Sequence, residues 1–274
     1  MTTNTSNPTT ATGSTTAARQ SSRRSADYWQ QTRRPWPSLV FLLPLLVTYE
    51  LGVLWIGGRN ASAIRSGADA LLRVALDLVG LNAPWWPPLL IVLGLTSWQW
   101  VAKYPWQVSL ETLAGMFVES VLAAFALIVL GQIQSRLFTG SFAIETSLIN
   151  MTDLRITLTA AQTELLTRVL SFVGAGIYEE VIFRLTLLPT VTMLLRQTVL
   201  PRTWALTFAA LATSLLFAAA HHVGPAGEPF ELFPFCFRTL AGIFFAALFV
   251  LRGFGIAAGS HAIYDLLVGV LLGN

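Results

Sequence analysis

All three histidines of the chain lie in two short motifs set in apolar sequence. These are Phe217-Ala218-Ala219-Ala220-His221-His222 and His261-Ala262-Ile263-Tyr264-Asp265. A third polar group, Glu179-Glu180-Val181-Ile182-Phe183-Arg184, is buried as deeply in hydrophobic residues. Carboxylates and imidazoles are the side chains that exchange protons near neutral pH. Holding an ionisable group at the centre of a membrane helix costs about 2.5–3.5 kcal/mol on insertion scales. A chain that accepts this cost at three separate places is using the groups together. The chemistry within their reach is proton transfer at a site inside the membrane.

Helical spacing divides the roles. Residues four apart share a helix face, whereas neighbours diverge by about 100°. Glu180 and Arg184 can therefore pair, with the carboxylate N-terminal to the cation, the favoured order. Glu179 points elsewhere, is left without a local partner, and is available as a general base. His261 and Asp265 share a face, so the carboxylate orients the ring or both groups meet one substrate atom. Phe217 lies one turn before His221 and is placed to pack beside it, while His222 diverges. Each motif alone would read as a hydrogen bond bridging two helices; the three together favour a site.

The elements that must carry these residues are helices, and we read the fold as all-α, a polytopic helical membrane protein. Residues 1–34, rich in Ser, Thr and Arg, form a tail expected to be disordered, because they offer too little apolar surface to offset chain entropy. No apolar region lies close enough to Met1 for a cleavable signal, so the first span would serve as a retained anchor. Residues 35–274 then form one membrane domain. About seven spans are expected, at 38–57, 88–101, 110–133, a long helix ending near Arg196, 204–221, 235–251 and 256–272. Thr159 and Gln162 fit a capping box opening the long helix. Gly174-Ala175-Gly176 within it would let a neighbour approach closely. Residues 138–158 read as a loop. Arg65, Asp69, Arg73 and Asp77 recur every four residues, which suggests an amphipathic helix lying in the membrane interface. Tryptophans 85, 86, 98, 100 and 106 bracket the short second span as an aromatic belt.

Composition supports this and excludes other classes. Hydrophobic residues are 54% and charged residues 11% of the chain, where a soluble domain carries about 25% charged. The net charge is +3, with much of the excess in Arg19, Arg23, Arg24, Arg33 and Arg34. That cluster precedes the first span and reads as a topology signal or lipid-headgroup contact, not a nucleic-acid surface. The single cysteine, Cys236, excludes an intrachain disulfide and a Cys-based zinc site. Lysine and arginine placement puts the N-terminus in the cytoplasm, with the plasma (inner) membrane as the expected location.

Glu-Glu-x-x-x-Arg, Phe-x-x-x-His and His-x-x-x-Asp, in this order on successive apolar helices, resemble the CPBP family of CAAX proteases and bacteriocin-processing enzymes. That family includes the type II CAAX prenyl endopeptidases. The resemblance covers about residues 165–272. It implies a glutamate-dependent intramembrane endopeptidase with no cofactor and no essential metal. By the same resemblance Glu179 and His221 activate a water, and His261 with Asp265 stabilises the oxyanion. Glu180 and Arg184 support them. An ionised Asp cannot donate a hydrogen bond to an oxyanion, so we assign Asp265 to orienting His261. The expected partners are the bilayer and a membrane-associated or peptide substrate, lipidated or not.

Two rival readings follow from the same residues. Glu179, His221 and His261 could ligate zinc with water as fourth ligand, although no His-Glu-x-x-His spacing is present. A non-catalytic protein, such as an immunity protein, a scaffold or a carrier, would use the same polar groups structurally. Glu50 and Glu119, as further buried acids, lend the carrier some support. For Glu50 a hydrogen bond to a neighbouring helix is favoured over catalysis.

Overall fold

The computed structural model describes residues 27–139, 158–224 and 227–272. Among them there is helix and no strand. A short helix α1 spans 27–32, so this part of the expected disordered tail is ordered; residues 1–26 lie outside the described residues. Helix α2 runs Pro35–Gly57, started by prolines that lose nothing at a first turn. A 3₁₀ turn, Gly58–Ala63, leads to α3, Gly67–Asp77, which Ser66 caps through the amide of Asp69. Then come α4 (Trp86–Val101), α5 (Leu110–Thr139) and α6 (Leu158–Glu180). Of the loop expected at 138–158, residues 140–157 lie outside the described residues. The proposed capping side chain of Thr159 is likewise outside the description, and α6 opens one residue earlier.

The long helix continues beyond α6 through a π-helical segment, Val181–Leu187, into α7, Leu188–Leu195. Its end at Leu195 agrees with the stop expected near Arg196. Helices α8 (Arg202–Ala220), α9 (Leu232–Arg252) and α10 (Phe254–Leu266) follow, the last running into a second π segment, Leu267–Leu272. Gly253 alone separates α9 from α10, at a φ of +97° that an L side chain rarely adopts.

Among the described residues, four helices are long and apolar enough to cross a membrane: Pro35–Gly57, Leu110–Phe138, Arg202–Ala220 and Leu232–Arg252. Phe254–Val270 is a shorter apolar helix. This is an integral membrane protein. The other two expected spans are weaker: α4 has 16 residues, short of the ~20 a bilayer requires, and α6 carries several charges.

Helix α10 occupies the centre. Every residue from Phe254 to Ala262 is buried, against α2, α5, α6 and α9. The approach of α6 depends on Gly176, where a Cβ would lie 2.4 Å from the amide nitrogen of Ala262. The small-residue motif does what its sequence suggests, and it brings Glu180 beside His261.

Helix α3 is amphipathic, as its spacing suggests: Asp69 is fully buried, while Asp77, Leu71, Val74 and Leu78 are exposed. Glu50 waits on α2 and accepts hydrogen bonds from Arg65 and Arg73. A soluble amphipathic helix buries its apolar stripe, whereas α3 leaves that stripe exposed and buries Asp69.

Candidate active site

The three sequence motifs meet where α6, α8 and α10 end or bend. Glu179 and Glu180 close α6, His221 caps the C-terminus of α8, and His261 with Asp265 lies on α10. Glu179 Oε2 lies 4.0 Å from His221 Nε2 and 3.7 Å from His261 Nε2. His261 Nε2 is also 3.5 Å from Asp265 Oδ2. Four polar atoms from three helices thus face one small volume.

Each ring is oriented from its far side. His221 Nδ1 lies 2.8 Å from the carbonyl of Phe217, one of the last-turn oxygens that a helix leaves unpaired. A carbonyl only accepts, so Nδ1 carries the hydrogen and the Nε2 lone pair of a neutral ring faces Glu179. His261 Nδ1 donates to Glu180 Oε1 at 2.8 Å. A His261 ring carrying both protons then presents Nε2–H toward Glu179 and Asp265. The ring stacks on Phe245, centroids 4.4 Å apart and planes at 17°, and Phe217 meets it edge-on. These contacts leave the imidazole little freedom to turn.

Glu180 and Arg184 pair as their spacing foretells, Nη1 to Oε1 at 2.9 Å, both side chains almost wholly buried. Arg184 also donates from Nη2 to the carbonyl of Gly242 on α9, at 3.0 Å, and lies over the Phe217 ring. A π turn follows Glu180, with Thr186 Oγ1 donating to the carbonyl of Val181 five residues back. Such widened turns occur frequently at functional sites.

Both carboxylates keep one buried oxygen without a hydrogen-bond partner among the described residues, Glu179 Oε2 and Glu180 Oε2, but the other oxygen of Glu180 meets His261 and Arg184. A buried oxygen of this kind calls for an explanation, and a role in proton transfer is one that the neighbouring imidazoles make available. His222 faces away, its Nδ1 meeting the Glu228 carbonyl. On the same loop the Glu228 carboxylate accepts two hydrogen bonds from Arg238 of α9.

Sequence reasoning named Glu180 as a support without its contact to His261, and it missed two further contributors. Glu180, read as a helix support, is the partner that fixes His261; Asp265 meets the other nitrogen at longer range. Phe245 belongs to no motif, and only the aromatic run of α9 hinted at packing against a ring. Gly242 acts through its backbone oxygen, which no side-chain pattern reveals. Among the described residues no group of three or more His, Cys, Asp or Glu side chains is arranged to hold a metal.

Comparison with curated proteins and with solved structures found no match. A comparison with family models did: residues 161–267 match the model described as Rce1-like, Type II CAAX prenyl endopeptidase Rce1-like. The matched stretch contains Glu179, Glu180, Arg184, His221, His261 and Asp265, and its bounds agree closely with the resemblance read from the motifs. Residues 161–267 of this integral membrane protein are thus similar to the Rce1-like type II CAAX prenyl endopeptidases.

Proposed function

We propose that the protein is a glutamate-dependent intramembrane endopeptidase in which Glu179 and His221 activate a water and His261 stabilises the oxyanion. The observation that carries this reading is the convergence of Glu179 Oε2, His221 Nε2 and His261 Nε2 within 4.0 Å of the carboxylate oxygen. Two acceptors 4.0 Å apart suit a water that donates to each at an ordinary distance of about 2.8 Å.

The steps follow from the donor and acceptor pattern. The water oxygen attacks the scissile carbonyl carbon while one water proton passes to Glu179. Negative charge develops on the carbonyl oxygen, and His261, acting as the imidazolium, donates Nε2–H to it. Glu179 then returns the proton to the amide nitrogen as the C–N bond breaks, leaving a carboxylic acid and an amine. His221 holds the water and shares its proton. Glu180 and Asp265 orient His261 and favour its charged form, and Arg184 balances Glu180. No step requires a cofactor.

The substrate we assign is a peptide segment presented at the membrane, lipidated or not, since the site lies among helices apolar enough to cross a membrane. The N-terminus lies in the cytoplasm and the location is the plasma (inner) membrane; the arginines preceding α2 support both. Separate Glu179→Ala, His221→Ala and His261→Ala variants, assayed on quenched peptides in detergent with and without chelator, test the reading. Loss of cleavage in each, with wild-type activity indifferent to chelator, is the expected outcome. Full activity of Glu179→Ala would refute the mechanism, and loss of wild-type cleavage in chelator would favour zinc.

A further inference from the structure

The residue immediately before the catalytic pair is occupied elsewhere. Tyr178 is fully buried, and its hydroxyl donates to Glu50 Oε1 on α2 at 2.5 Å. Glu50 in turn accepts from Arg65 at 3.2 Å and from Arg73 at 3.2 Å. Both arginines also bond Asp69, at 2.6 and 2.8 Å, and Asp69 accepts from the Tyr49 hydroxyl at 2.8 Å. Tyr49 closes the circle by lying where a Cβ on Gly174 would stand, 2.2 Å away, one turn before Tyr178. The network is neutral in sum, two carboxylates against two guanidiniums. Apart from Tyr178 and Gly174, every member lies outside residues 161–267, the part that matches the family model.

We infer that Glu50 and Tyr178 are positioning residues, through which α2 and α3 set the rotation of the catalytic helix and so the aim of Glu179. This rests on the glutamate reading above. Adjacent helical residues diverge by about 100°, so a tether on Tyr178 fixes the azimuth of Glu179 without touching it. Leverage is large: a 10° rotation moves a side chain about 5–6 Å from the axis by about 1 Å. A displacement of that size at a reacting group can cost about 100-fold in rate. The π segment begins two residues after Glu179, at Val181, so α7 does not hold the helix phase through regular α-helical bonds. Glu180 and Arg184 hold the far face of this turn against α9 and α10, and from the N-terminal side the tether attaches at Tyr178.

The test uses full-length protein and a quenched peptide that the wild type cleaves. Tyr178→Phe removes one oxygen and keeps the ring; Glu50→Gln weakens its acceptor; Glu119→Gln serves as control, since Glu119 pairs with Arg252 without contacting α6. Tyr178→Phe and Glu50→Gln are expected to lower kcat about 10–100-fold with KM within about threefold, and the double variant to fall no further. Glu119→Gln is expected to keep kcat at an equal or greater loss of thermal stability. The same kcat loss in Glu119→Gln, or kcat within twofold of wild type in Tyr178→Phe, would overturn the inference. Amide hydrogen exchange gives a readout free of any substrate. Faster exchange over 177–183 in Tyr178→Phe, with α8 and α9 unchanged, is expected, and an unchanged pattern would overturn it. Activity retained by Glu179→Ala would instead sink the mechanism, a result separable from either.

Discussion

Two buried polar clusters among the described residues meet α6 on different faces, and they are built on contrary principles. The Glu50–Asp69 cluster balances two carboxylates with two arginines, and each carboxylate accepts from both guanidiniums. The Glu179 cluster gathers three carboxylates against one arginine and two imidazoles, and leaves Glu179 Oε2 and Glu180 Oε2 without hydrogen-bond partners among the described residues. A satisfied buried network rigidifies a fold; a partly satisfied one raises its energy and is kept only for a use. The first cluster has the balance expected of a brace, and the second has the imbalance expected of the reaction proposed above. A third group, Glu119 with Arg252 and Tyr28, falls on the structural side: the pair is bidentate at 2.7 Å, and Tyr28 adds its hydroxyl. Both acids that lent weight to a carrier are thus engaged in ion pairs.

If this contrast is right, substitutions at Glu179 should cost activity without stability, whereas those in the Glu50–Asp69 cluster should cost stability and lower activity only in part. The largest effect is expected at Glu179→Gln, where removing the base should lower kcat by about 10²–10⁴-fold while thermal stability is unchanged or raised. Next comes Asp69→Ala, which leaves two buried arginines short of a counter-ion and should cost about 3–5 kcal/mol in unfolding measurements. Arg184→Ala sharpens the contrast, because this residue belongs to both worlds. It strands Glu180 without its cation, so stability should fall by about the same 3–5 kcal/mol and activity should fall with it. If Arg184→Ala stayed stable, Glu180 would not need its partner and the division would blur.

The smallest effect concerns Glu228, outside the membrane helices. Hydrogen bonding from Arg238 holds its carboxyl below the usual glutamate range, against a weaker opposing effect of partial burial. A depressed value means the pairing contributes above the unfolded value of about 4.3 and is lost as pH falls through the lower folded one. Glu228→Gln should abolish that acid-side loss of stability. With more than half the side chain exposed, the change should be below about 1 kcal/mol in melts between pH 3 and 6.

Local spacing was enough to read the pairs that lie within one helix. Glu180 with Arg184, His261 beside Asp265, and the divergence of Glu179 and of His222 all follow from a 3.6-residue repeat. Order along the chain supplied the meeting of the three motifs through the family they resemble. Contacts between distant residues were not readable in this way. Glu119 finds Arg252 133 positions away, and Tyr178 finds Glu50 across 128. Nor did periodicity say which side of α3 is buried: charges every fourth residue define a face, and only Glu50 on another helix draws part of it inward. The π turn after Glu180 was also invisible, since apolar residues there suit either helix geometry.

The most direct test of the central claim is to measure kcat and melting temperature together for Glu179→Gln and Asp69→Asn in the same preparation. The account predicts opposite outcomes. Glu179→Gln should be catalytically dead and as stable as wild type or more so, and Asp69→Asn clearly less stable yet still able to cleave. Loss of stability in Glu179→Gln comparable to that in Asp69→Asn, with cleavage retained, would show that both clusters are braces and would contradict an active site at Glu179.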